Sequence, residues 1–196
     1  MQNNNSTLGI KLKEKNRNIM IKKMEEIKKE VYLKDYKRNL KNYLMTSRFS
    51  TETYNENYNY RKKTNLGCIY CSPIRTSNEI PIESIMFVLE MNNTNDRIMG
   101  IGMVRNHPIM NKYRVYKNEN YNRYVFTGKN RIDRNEMNKE EEVIMKALDI
   151  LCFKGSKHMK RGQGLQMFPI ETLYKCLKLI DIIKFIGNMF KIRLLK

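Results

Sequence analysis

Residues 84–91, Ser-Ile-Met-Phe-Val-Leu-Glu-Met, form a nearly unbroken apolar run. The polar stretch Asn92-Asn93-Thr94-Asn95-Asp96 follows, and residues 97–105 are again rich in apolar side chains. Two strands joined by a polar turn explain this pattern, so a β-hairpin is predicted at the centre of the fold. In the second run Gly100 and Gly102 alternate with Ile98 on one face, against Met99, Ile101 and Met103 on the other. The glycine face is nearly bare, which predicts close approach of another backbone, a bulge or a ligand, with close strand packing as the simplest cause.

Around this hairpin the signals are mixed. Short strands are predicted at residues 113–116 and 123–127, with turns at 117–120 and 128–130. After Asp133, Asn135 can cap a helix with Glu136, Glu140, Glu141 and Glu142 near its start and Val143, Ile144, Ala147, Leu148 and Leu151 inside. Lys154 and Gly155 end it. Residues 1–9 are polar and Asn-rich and are expected to be disordered. Residues 10–46 read as a basic helical arm with Met20, Met24, Ile27, Val31, Leu40 and Leu44 along one face, either docked on the core or reserved for nucleic acid. Residues 47–65 read as a linker, with Tyr54, Tyr58 and Tyr60 beside Arg61, Lys62 and Lys63. Residues 171–196 predict an amphipathic helix, polar at 175, 178, 181 and 184 and packing Leu173, Leu177, Ile180, Ile183 and Phe190. The expected class is α+β, a central domain over residues 66–170 between a basic N-terminal helix and this C-terminal one. The helical ends are candidate contacts for a protein partner.

Charge narrows the function. Lys and Arg number 38 against 20 acids in 196 residues, a net +18, and such an excess draws polyanions by counterion release. The segment Lys154-Gly155-Ser156-Lys157-His158-Met159-Lys160-Arg161-Gly162-Gln163-Gly164 mixes cations with glycines, which lets backbone N–H groups approach an anion. Within it Lys154, Lys157, His158, Lys160, Arg161, Gly162, Gln163 and Gly164 are expected to meet phosphate. It lacks the glycine spacings of nucleotide hydrolases, which excludes that class. A second group, Arg105, Arg123, Arg131 and Arg134 with Tyr121 and Tyr124, combines phosphate-seeking cations with rings that stack on unpaired bases. The expected partner is RNA or single-stranded nucleic acid, bound without catalysis.

Two other classes stay open: a structural or genome-packaging protein that binds DNA without reading bases, and a nucleic-acid-processing enzyme using Asp133, Glu136 or His158. Four cysteines are too few for a disulfide scaffold and no leader segment opens the chain, so a reducing, intracellular compartment is expected. Cys68 and Cys71 have metal-gripping spacing but no second pair, so buried thiols are expected over zinc, with no cofactor. The apolar tract 173–195 is interrupted by Lys175, Lys178, Asp181, Lys184 and Lys191, so no membrane span is expected.

The paired runs Ile85-Met86-Phe87-Val88-Leu89-Glu90 and Arg97-Ile98-Met99-Gly100-Ile101-Gly102-Met103-Val104 resemble the paired strands of the PUA-like superfamily, its EVE and YTH-type branches above all. The resemblance spans residues 66–170 in element order. It implies a small curved mixed sheet or barrel flanked by helices, with a pocket for a nucleotide or modified base. Those branches use aromatic residues, often Trp, around the pocket, and this chain has no Trp. The abundance of Lys, Asn, Ile, Tyr and Met also resembles products of AT-rich genomes, including some large DNA viruses.

Overall fold

The computed structural model describes residues 4–110 and 112–195, which divide after Leu40 into two compact units. The first unit is a single helix, α1 (Asn4–Arg38). It starts inside the segment expected to be a disordered tail, of which residues 1–3 lie outside the described residues. Extending a helix costs far less than nucleating one, so a Lys-rich helix runs back through polar residues. Side chains from Glu14 to Tyr32 are exposed, and the arm stops at Arg38, leaving Leu44 to the next element.

The second unit contains two open sheets. The larger has the order β7 (Asn130–Asp133), β4 (Arg97–Arg105), β3 (Ile85–Asn92), β1 (Asn42–Phe49), β8 (Gln166–Met167). Its centre is β1 running parallel to β3, which pairs antiparallel with β4. The hairpin is therefore where the sequence placed it. Between β1 and β3 come α2 (Thr51–Thr64) and β2 (Cys68–Ser72), so the linker expected at 47–65 is instead the end of a core strand and a helix. Ser50 explains the helix: its hydroxyl accepts from the Thr53 N–H while the Thr53 hydroxyl accepts from the Ser50 N–H. Arg61 is buried, donating to Asn57 Oδ1 at 2.9 Å, with the Tyr58 ring beneath its guanidinium.

The smaller sheet, β2-β6-β5, adds β5 (Ile109–Met110) and β6 (Tyr124–Gly128). Residues 113–116 form no strand, because Asn122 Oδ1 takes the backbone N–H groups of both Val115 and Tyr116. Beyond Lys129 the chain enters β7 (Asn130–Asp133), which pairs with β4, so one continuous segment switches sheets at Gly128. A Cβ on Gly128 would fall 2.1 Å from the Met103 carbonyl oxygen, so this crossing demands glycine.

Helices complete the α+β unit. In α3 (Lys139–Phe153) the cap is Asn138, reciprocated by Glu141, rather than Asn135, which belongs to a 3-10 turn capped by Asp133. The buried face is accordingly rotated to Glu141, Met145, Leu148 and Cys152, leaving Val143 and Ala147 outside. The short β8 (Gln166–Met167) pairs with β1. The expected C-terminal helix is two, α4 (Ile170–Cys176) and α5 (Ile182–Leu194), because the Asp181 carboxylate accepts from the Lys184 N–H and starts a new helix. Phe190 of α5 stacks on Phe87 of β3 at 5.4 Å.

Candidate functional site

The cationic residues singled out in the sequence separate into two kinds. Arg131 on β7 is sealed: its guanidinium donates to both oxygens of Glu90, to Asp133 at 2.8 Å and to the Tyr54 hydroxyl at 3.2 Å. Glu90, 1% exposed, also accepts from the Tyr70 hydroxyl at 2.8 Å. The bare glycine face makes room for this network, since a Cβ on Gly102 would fall 1.9 Å from Tyr70 Oη and one on Gly100 would fall 2.6 Å from Arg131 Nη2. Burial works against the charged form of Arg131, but the Glu90 charge and hydrogen bonds overcome it and raise its pKa. Arg134 is equally closed, held by Glu142, Asp149 and the Ile98 carbonyl, with 2% of its side chain exposed. Both arginines are thus structural, and neither is free to meet a phosphate as expected. Each found its carboxylates through tertiary packing.

Tyr124 is corrected too. Its ring is buried and carries the Arg75 and Arg123 guanidiniums at 5.5 and 5.4 Å, leaving no face for a base. Arg105 stays exposed but ends β4 at the other extremity from the Asn92–Arg97 turn, on the order of 25 Å away along the strand. Its Nη1 donates to the Glu83 carbonyl.

Of the remaining residues, Tyr121, Arg123, Gly162, Gln163 and Gly164 come together around two depressions, whereas Lys154, Lys157, His158, Lys160 and Arg161 line neither. Tyr121, half-buried, lines two adjoining depressions together with Asn118 and Gln163. One, about 480 Å³, adds Pro73 and Arg123. The other, about 350 Å³, adds Gly162 and Gly164 from the basic loop, Ser50 and Thr53 from the start of α2, Arg48 from the end of β1, and Asn93 from the turn just after β3. Gly162 and Gly164 have φ of +121° and +64°, and a Cβ on Gly164 would fall 2.0 Å from Ser72 Oγ, so this turn is specific to glycine. Of the loop cations, Lys160 pairs with Asp96 at 2.6 Å and Lys154 with the same carboxylate at 3.7 Å. Lys157 and Arg161 are exposed and form no ion pair among the described residues. His158 is half-buried, its Nδ1 accepting from the Lys160 N–H.

Arg48 and Asn93 did not stand out in the sequence. Arg48 Nε donates to the Met159 carbonyl at 2.5 Å and Asn93 Nδ2 to the Lys160 carbonyl at 3.0 Å. Arg48 Nη1 and Asn93 Oδ1 are buried and, among the described residues, have no hydrogen-bond partner. Among the described residues no carboxylate pairs with Arg48; burial lowers its pKa, and Cys152 acts in the opposite direction. Glu56 of α2 lines the same cleft without pairing to it. The sequence signal available was the Ser50-x-x-Thr53 cap, which places a strand, and hence Arg48, directly before a helix.

The two β2 cysteines point apart. Cys68 Sγ lies against Gly128 and bonds the Asn130 carbonyl, while Cys71, three positions on, lines the cleft. Burial pushes the Cys68 thiol up to about 12 and raises that of Cys71, which disfavours the thiolates a metal needs. Among the described residues no three His, Cys, Asp or Glu side chains gather to hold an ion. Asp133 and Glu136 both cap the 3-10 turn. No described helix is long and apolar enough to cross a membrane.

No protein-family model, curated protein or solved structure matches the chain.

Proposed function

We propose that this protein binds single-stranded nucleic acid, RNA above all, through the Tyr121 cleft and without catalysing a reaction. The observation that carries the reading is that Tyr121 and Gln163 belong to two adjoining depressions, one carrying Arg123 and the other the Gly162–Gly164 turn, in a chain of net charge +18. Tyr121 offers a ring for stacking, Arg123, Lys157 and Arg161 offer charge to phosphates, and the glycine turn keeps the entrance low. Carboxylates suited to catalysis, Asp133 and Glu136, are occupied as caps. The PUA-like relationship belongs to the same proposal: two joined sheets with flanking helices support it, although they stay open rather than closing into a barrel. Unpaired, mostly buried thiols suit the reducing compartment where such a partner is found.

The test is fluorescence anisotropy with a labelled single strand and its duplex across a series of salt concentrations. Replacing Arg123, Lys157 and Arg161 together with Gln is expected to weaken single-strand binding and to flatten the slope of log K against log salt by about 2. Unchanged affinity and slope reject the cleft as the interface. Equal affinity for the duplex favours non-specific packaging instead.

A further inference from the structure

Helix α1 lies in a compact unit of its own, and its middle carries apolar side chains that stay in water. Met20, Met24, Ile27 and Val31 are 52–68% exposed and follow one another at intervals of four, three and four residues. That is the spacing of the d, a, d and a positions of a heptad, which gathers the four into one seam along the helix. Ile21, also exposed, falls beside the seam at an e position. An exposed apolar seam with charged flanks marks a surface that packs against another helix.

Charge decides what covers it. The chain as a whole carries net +18, yet from Lys22 to Asp35 five lysines stand among four acids, a net of +1. A phosphate polymer gains little from so nearly neutral a stretch, whereas a partner bearing both signs can match it. A second copy of α1 is such a partner. With the seam in the a and d positions, Lys23 and Glu30 take g positions, and Lys28 and Asp35 take e positions. Two parallel copies in register would set Lys23 against Lys28 and Glu30 against Asp35, like charge against like at both sites. Two antiparallel copies layer Met20 on Val31 and Met24 on Ile27, and set Lys23 of each against Glu30 of the other. Ile21 of each then lies along the aliphatic stem of the other's Lys28. Outside these layers Arg17 and Lys34 meet beside Glu14 and Asp35, two cations with two acids, so the ends of the seam are charged but balanced.

We infer that two copies of this chain pair through α1, antiparallel, along the seam from Met20 to Val31. The excess charge on two +18 chains opposes their approach, but it is screened beyond about 8 Å at physiological salt, whereas the Lys23–Glu30 contacts act at close range. The seam is short for a coiled coil, so the pair forms and dissociates with concentration instead of being permanent. The inference is independent of what the Tyr121 cleft binds.

The experiment is sedimentation velocity on the full chain, freed of nucleic acid and held at about 0.15 M salt. Monomer is expected to give way to dimer as concentration rises. Replacing Met24 and Ile27 together with Gln keeps good helix formers and removes the two central layers. That variant is expected to stay monomeric throughout, with near-ultraviolet circular dichroism showing that the chain is folded as in the parent. Lys23→Glu and Glu30→Lys are each expected to weaken the dimer by roughly tenfold, since each turns two attractive contacts into repulsive ones. An equimolar mixture of the two variants is expected to recover it, because every contact between positions 23 and 30 then joins opposite charges. A parent that stays monomeric at every concentration overturns the inference, as does a dimer that survives the paired Gln substitutions. Single reversals that tighten the dimer overturn the antiparallel arrangement, because parallel copies gain from both.

Discussion

Arg131 and Arg48 are anchored in the same five-stranded sheet, yet the structure treats them in opposite ways. Arg131 is closed in by Glu90, Asp133 and Tyr54, every terminal nitrogen engaged. Arg48 spends its Nε on a backbone carbonyl and pairs with no carboxylate among the described residues. A compensated buried cation fastens the fold together, whereas an uncompensated one adds desolvation cost without a partner to offset it. Positive charge alone therefore says little about function here; what matters is whether acids have already claimed it.

The contrast is open to attack at three points. Glu90→Ala would leave Arg131 buried with its main counter-charge gone and only Asp133 and Tyr54 still engaged, and a loss of about 3 kcal/mol is expected, read as a fall in the urea midpoint with unchanged slope. A loss under about 1 kcal/mol would mean that the sealed network is not structural. Acid provides a milder probe. The Glu142 carboxyl is held below its usual value by the Arg134 hydrogen bond, and that of Glu141 by the Arg193 hydrogen bond. Because the folded values are the lower ones, the stability they confer is complete above about pH 4.5 and is lost as pH falls through them. Urea midpoints followed from pH 7 to pH 3 are expected to drop less steeply in Arg193→Gln, while Arg48→Met follows the parent, having no carboxylate to lose. The smallest stability effect is expected for Arg48→Met itself, within about 1 kcal/mol of the parent and of either sign, since it removes a desolvated cation with no acid to strand. A large loss of stability in that variant would reverse the roles assigned to the two arginines.

How legible these features were depended on how local their causes are. The β3–β4 hairpin could be read because its apolar runs and polar turn are contiguous. The start of α3 was blurred by two adjacent caps, Asp133 and Asn138, and the C-terminal helix broke at Asp181 because a carboxylate that looks like part of a solvated stripe serves better as a cap. The strand β1 was missed because Thr46, Ser47 and Arg48 read as surface residues, although Thr46 and Ser47 are buried between neighbours on both sides of a central strand. In the cleft, Tyr121 and the Gly162–Gly164 turn were recognisable from residue type. The fate of Arg131 was not, because its partner Glu90 lies 41 residues away in sequence. The want of a carboxylate partner for Arg48 was equally hidden, being a property of the assembled core that leaves no mark on neighbouring residues.

Because Arg48 and Asn93 grip the backbone oxygens of residues 159 and 160, the geometry they impose is indifferent to most side chains of that loop. Packing constrains Met159 and Leu165, and the turn constrains its glycines, but exposed positions such as Ser156 and Lys157 are at liberty to drift among descendants of this gene. Charge on the rim can thus change without disturbing the clamp beneath it.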